Sequence, residues 1–205
     1  PLGRPTSGRR WRRNRPFPRP ADTAAEAGIP PARPTLHFAS MRAIVIQRQG
    51  TPVTPNVALV TDHPDPEAGP GEVLVRTEAA SLNHLDLWVG RGLPGLERTF
   101  PAVSGSDGAG VVEAVGAGVD EAWIGRRVVL NAAIPRPDRL HPDVRPARPD
   151  TVMIGEHVDG CLAERFVAPV GQVLPIGEAD PGRAAAFALA HLTAWRMLRT
   201  RARLE

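Results

Sequence analysis

The chain has 205 residues, an ordinary apolar share of 42% and a single cysteine, Cys161, so neither a disulfide framework nor a cysteine-built zinc site fits within it. No run approaches the roughly 18 apolar residues of a membrane span, and no apolar signal-peptide core opens the sequence, so a cytoplasmic protein is expected. The net charge of +3 hides a division: residues 1–40 hold eight arginines against Asp22 and Glu26, a balance of +6, whereas the other 165 residues balance at −3.

Residues 1–40 are rich in Pro, Arg and Ala without apolar period, and a disordered tail is predicted. "RRWRRNRPFPRP" has the composition of an RNA-binding arm, with arginines for phosphates and Trp11 or Phe17 for stacking. It also suits an organelle presequence or an upstream stretch without a role. The change of text at Met41, "MRAIVIQRQG", favours the last, so nucleic acid is not the expected partner.

From Met41 the runs "RAIVI", "NVALV", "EVLVRTEAA", "AGVVEAV", "RRVVLN" and "LAERFVAP" read as short strands, punctuated by Pro and Gly. Many such strands predict a mainly β barrel or sandwich. Val73, Val75 and Thr77 share one face of the third run. Ser81 to Val89 carries Leu82, Leu85 and Trp88/Val89 at helical spacing and predicts one interrupting helix.

"GSDGAGVVEAVGAGV", Gly105 to Val119, poses a choice. A dinucleotide fingerprint needs G-x-G-x-x-G between strand and helix. Here Glu121 stands at the third glycine position, and a further strand follows instead of a helix. Gly116-Ala117-Gly118 therefore reads as a turn between strands. Residues 134–150, "IPRPDRLHPDVRPARPD", read as a long irregular loop. Asp180 and Pro181 then suit the N-cap and first turn of an alanine-rich helix that gathers arginines toward its end.

Four stretches in order carry a resemblance: "GPGEVLVRTEAASLNHLDLWVGRG", "FPAVSGSDGAGVVEAVGAGVDEAWIGRRVVL", "GEHVDGCLAERFVAP" and "LPIGEADPGRAAAFALAHLTAWRML". Met41 to Glu205 resembles the N-terminal half of a medium-chain dehydrogenase/reductase, the superfamily of zinc alcohol dehydrogenases and zinc-free quinone oxidoreductases. The resemblance implies a GroES-like, partly open β-barrel over 41–178. It implies helices over 179–205 that link to a cofactor domain, with the chain stopping before the glycine fingerprint. The implied activity is NAD(P)(H)-dependent hydride transfer on a small-molecule substrate, a carbonyl, quinone or activated alkene, by a homo-oligomer when intact. The other reading is a non-catalytic chain, either a truncated product or a binding barrel with a nucleic-acid-binding tail.

The zinc enzymes place Cys and a His-Glu pair where this chain has Asn83 and Ser106-Asp107. Zinc prefers thiolate and imidazole, so no metal is expected, and the cysteine-free loop 134–150 stands where the structural zinc lobe belongs. Asn83 and Asp86 are the candidate catalytic residues. The Asn83 amide either holds a substrate oxygen or caps the helix that follows it. Asp86 matches a position that supports a metal-ligating histidine and, without that histidine, is expected to hydrogen-bond locally. His84 and Thr193 are the candidate cofactor-binding residues, for the pyrophosphate and the nicotinamide carboxamide; the alternatives are a surface histidine and a helix threonine bonded to its own backbone. Glu156 and His157 line either the cleft or a loop between strands. Cys161 and Trp195 are expected in the core.

Overall fold

A computed structural model describes residues 40–96, 98–135 and 151–204. The Arg/Pro-rich tail and most of the loop 134–150 lie outside the described residues. Among the described residues, ten strands and two α-helices follow one another: β1 Ser40–Ile46, β2 Val57–Pro64, β3 Glu72–Ser81, α1 His84–Arg91, β4 Ala102–Val103, β5 Asp107–Val115, β6 Arg127–Leu130, β7 Ala133–Pro135, β8 Thr151–Met153, β9 Arg165–Pro169, β10 Val173–Pro175 and α2 Pro181–Trp195. A π-helical stretch, Arg196–Arg201, continues α2.

The strands form an antiparallel five-stranded sheet in the order β10-β6-β5-β3-β9, a three-stranded sheet β2-β1-β4 and the pair β7-β8. Residues 161–164 stitch the two larger sheets together. Ile44 N–H donates to Leu162 O at 2.8 Å and Glu164 N–H to Arg42 O at 3.1 Å, while Thr77 N–H reaches Glu164 O at 2.9 Å. The result is a curled, partly open barrel. It is strand-rich because its runs alternate Val, Ile and Ala with polar residues, which suits a sheet with one buried face.

The core lies inside the curl. Val73 and Val75 of β3, Val112 of β5, Val128 and Leu130 of β6, and Phe166 of β9 are all buried. Thr77, on the same face, is half-buried, and its Oγ1 has no partner among the described residues. The outer face of the same sheet is ionic. Arg76 meets Glu113 at 3.0 Å, Arg165 meets Glu113 at 2.9 Å and Asp65 at 3.4 Å, and Arg127 meets Glu78 at 3.1 Å.

Gly110 sits opposite Thr77 in the β3–β5 ladder, and a Cβ there would strike the Arg76 carbonyl oxygen. The glycine is required by close backbone approach. Gly116-Ala117-Gly118 is a turn, as its composition predicts: Gly118 has φ +82°, and Val119 N–H returns to Gly116 O at 3.2 Å.

Two expectations are corrected. The first helix begins at His84, because Ser81 is the last residue of β3 and Asn83 takes the N-cap position. Trp195 is not core: it is 62% exposed, since the buried Ala185 and the half-buried Ala188 and Leu189 lie before it and the helix is exposed from Ala190 onward. The second helix starts as predicted, with Asp180 Oδ1 accepting Arg183 N–H at 2.8 Å and Pro181 in the first turn.

Candidate functional site

The site is built where β3 ends and β5 begins. The ladder pairs Ser81 with Asp107, so both strand ends meet at one rim of the barrel. Asp107 is 1% exposed. A buried carboxylate is costly unless its lone pairs are filled, and here three donors fill them. Ser81 Oγ–H (2.8 Å) and Asn83 Nδ2–H (2.9 Å) donate to Oδ2, and the backbone N–H of Leu189 in α2 donates to Oδ1 at 2.7 Å.

Asn83 is half-buried and stands at the N-cap of α1. It takes the N-cap position of α1, and one N–H of its amide is given to Asp107. Asp86, at the third helical position, accepts Asn83 N–H on Oδ2 at 2.7 Å. This is the reciprocal half of a capping box. Asp86 Oδ1 takes Ser104 Oγ–H at 2.8 Å and Gly105 N–H at 3.1 Å, so it ties α1 to the turn entering β5. Local hydrogen bonding is what the sequence predicts for it. Gly105 has φ +101°, and a Cβ there would meet the Leu162 backbone nitrogen at 2.8 Å.

Ser106 is fully buried and donates to Ile154 O at 2.8 Å. Cys161 is buried as predicted. Burial pushes its thiol pKa well up, and the nearby charges of Asp107 and Asp86 push the same way.

The other candidates make none of the cluster's hydrogen bonds given above. His84 is exposed and edge-on to Trp88, with ring centroids 5.5 Å apart. Thr193 is exposed on α2, one turn beyond Leu189. His157 accepts Met153 N–H on Nδ1 at 3.1 Å, which folds it back on its own loop.

Sequence reading missed Arg98. Its side chain is only 4% exposed. The guanidinium donates to Gly155 O (3.1 Å), Glu156 O (2.9 Å), Val103 O (2.9 Å) and Asp159 Oδ1 (2.9 Å). Burial lowers its pKa, and the bond and charge of Asp159 oppose the shift. Ser81 and Ser104 were missed as well. Their signal was weak, a serine at each edge of a glycine-rich or alanine-rich segment.

An apolar groove of about 600 Å³ runs between α2 and the β6–β10 edge, lined by Val129, Leu174, Phe187, Leu192, Trp195 and Leu198 among others. It shares no lining residue with the polar cluster.

A half-open barrel whose glycine-rich strand starts on a buried carboxylate is the architecture of a GroES-like domain. Residues 69–178 match the alcohol dehydrogenase GroES-like domain family, and the chain belongs to it, within the superfamily of zinc-type alcohol dehydrogenases and quinone oxidoreductases.

The chain is 52% identical over 62 residues to a zinc-type alcohol dehydrogenase-like protein of Schizosaccharomyces pombe, covering 30% of this chain and 18% of the relative. It is 44% identical over 77 residues to a quinone oxidoreductase of Pseudomonas aeruginosa, covering 36% and 22%. Among solved structures, an NAD-dependent alcohol dehydrogenase aligns with a TM-score of 0.69 at 38% identity, covering 78% of this chain and 47% of that one. The match thus spans under half the length of that structure and about a fifth of the curated relatives. The family link is to NAD(P)(H)-dependent oxidoreductases. Among the described residues, no helix is long and apolar enough to cross a membrane.

Proposed function

We propose that this chain is the substrate-side barrel of an NAD(P)(H)-dependent oxidoreductase that works without a catalytic zinc. Its reaction is hydride transfer to or from a carbonyl, quinone or activated alkene. The observation that carries this reading is the bonding at the positions matching the zinc ligands. Ser106 Oγ–H donates to Ile154 O, Asn83 presents an amide N–H, and the Asp107 oxygens are taken by three donors. Zinc needs free lone pairs on sulfur, imidazole or carboxylate. This donor set does not fit the metal, and no step is routed through it.

A bound nicotinamide supplies or accepts the hydride. The chain's residues orient and hold. Asn83 Nδ2 spends one hydrogen on Asp107 and has a second to offer a substrate oxygen. Asp86 acts as a positioning residue, holding α1 against the Ser104–Gly105 turn. Exposed Thr193 offers a hydroxyl to the carboxamide, and exposed His84 offers an imidazole to the pyrophosphate. A cytoplasmic setting, a homo-oligomeric assembly and the domain division at 41–178 and 179–205 belong to the same proposal.

The test joins the 205-residue chain to the cofactor-binding domain of a solved relative. NADH and NADPH oxidation is then followed with an aldehyde, a quinone and an enone, with and without a chelator. Turnover indifferent to the chelator, and lowered about 100-fold by Asn83→Ala, is expected. Turnover abolished by chelator and restored by zinc refutes the zinc-free reading, and no turnover with any acceptor refutes the oxidoreductase reading.

A further inference from the structure

The contact between Asp107 and Leu189 does more than fill a lone pair. Leu189 lies inside α2, where a backbone N–H ordinarily serves the carbonyl four residues back. At 2.7 Å, the Asp107 carboxylate competes for that hydrogen from the side of the helix. The other oxygen of the same carboxylate holds the Asn83 amide at 2.9 Å. One rigid, buried group therefore contacts both halves of the candidate site.

We infer that Asp107 is a positioning residue that couples the orientation of the Asn83 amide to the seating of α2. Three observations support this. First, an ionised carboxylate is acceptor-only, so Asn83 must turn Nδ2 toward it, and the amide cannot flip without leaving Oδ2 facing oxygen. Second, Ser81 Oγ–H also donates to Oδ2, at 2.8 Å, which anchors the carboxylate to the end of β3. Third, Thr193 follows Leu189 by four residues, roughly 6 Å along the helix and on the same face. A tether at Leu189 thereby sets the height and rotation of the helix turn that carries Thr193.

As a statement about catalysis the inference rests on the proposed function; as a statement about coupling it does not. The aspartate side chain is short, with two torsions, and it is enclosed by the cluster it bonds. A shift of α2 that withdraws the Leu189 N–H releases Oδ1 and loosens the carboxylate plane that holds Asn83.

The experiment has two arms, so that its failure and that of the function are separable. In the first, backbone and side-chain amide exchange is read by NMR on the full chain. Asp107→Asn is expected to speed Leu189 exchange roughly 10- to 100-fold, the worth of one hydrogen bond to a charged acceptor, and to shift the Asn83 side-chain amide resonances. Leu59→Ala, at an exposed position of β2 outside the cluster, leaves Leu189 exchange within about twofold. A folded Asp107→Asn chain with Leu189 and Asn83 unmoved overturns the inference. Should Asp107→Asn not fold, the unaltered chain decides: Leu189 exchanging as fast as its exposed neighbour Ala190 overturns it, and slower exchange by about tenfold or more supports it.

In the second arm, the fusion carrying Asp107→Asn is expected to lose kcat about 10- to 100-fold with substrate KM within about twofold. The double variant with Asn83→Ala is expected to lose little more than Asn83→Ala alone, because groups that act through one another are not additive. Losses that simply multiply overturn the coupling. If no form of the fusion turns over, the proposed function fails and the exchange arm alone judges the coupling.

Discussion

Arg98→Ala tests whether the loop facing the barrel rim is held by one guanidinium. The side chain is 4% exposed and donates to three carbonyls and the Asp159 carboxylate. Truncation leaves those acceptors short of a donor. Asp159 keeps its bond from Val103 N–H at 2.9 Å and is itself 59% exposed, so its share of the loss is screened. Val103 O keeps a bond from Gly160 N–H at 3.0 Å, so the Gly155 and Glu156 carbonyls dominate. At 1.5–3 kcal/mol per hydrogen bond to a charged group, with water recovering part, the expected loss is about 3–5 kcal/mol. At 2–4 °C per kcal/mol for a chain of this size, that is a fall in Tm of roughly 10 °C. Urea unfolding with an unchanged m-value is the assay. Arg98→Lys should fall between the two, because an ammonium cannot fork to four acceptors. A midpoint for Arg98→Ala corresponding to under about 1 kcal/mol of loss would refute the reasoning.

Further predictions concern packing and pH. Gly110→Ala should give an unfolded or strongly destabilised chain, about 3 kcal/mol or more, because its Cβ would occupy the place of the Arg76 carbonyl oxygen; circular dichroism on thermal melting reads this. Cys161 should resist a thiol reagent at pH 8 in the folded chain and react at once in denaturant, since burial holds its thiol protonated. Glu164 has a lowered pKa from the Arg42 backbone N–H, then the Arg42 side-chain bond. Its contribution is present above the ordinary glutamate range and lost as pH falls through the folded value. Glu164→Gln should therefore flatten stability against pH below about pH 4.3, and a curve parallel to the parent there would count against it. Polar replacement of Phe187 and Leu198, 60% and 51% exposed, should raise solubility without lowering Tm, as light scattering and melting would show.

Much of the barrel was legible because strand runs and turn residues are local signals. Val73 and Val75 alternate with outward residues, and Gly118 marks its own turn. The Asp180–Pro181 start of α2 was readable for the same reason. Of the rim cluster, Asn83, Asp86 and the Ser106-Asp107 pair were singled out through resemblance, and the Asn83-to-Asp86 spacing suits the capping box that forms. The rest was not legible, because its partners are backbone atoms far away in sequence. Arg98 bonds carbonyls up to 58 residues distant, and a carbonyl has no residue identity to read. The Leu189 N–H that meets Asp107 lies 82 residues on. Trp195 failed differently: an aromatic in an apolar helix suggests core, but α2 is exposed from Ala190 onward.

The ionic outer face of the five-stranded sheet has a consequence for how the strands find one another. Arg76, Glu113, Arg127 and Arg165 stand on four different strands, and their pairing depends on each strand being in phase with the next. A slip of one residue turns a strand over. It would carry Val73 and Val75 into water and drive guanidinium groups into the curl of the barrel. A misregistered sheet is thus penalised on both faces at once, and the charges act as a proofreading mark that the valines alone, interchangeable along the strand, do not provide.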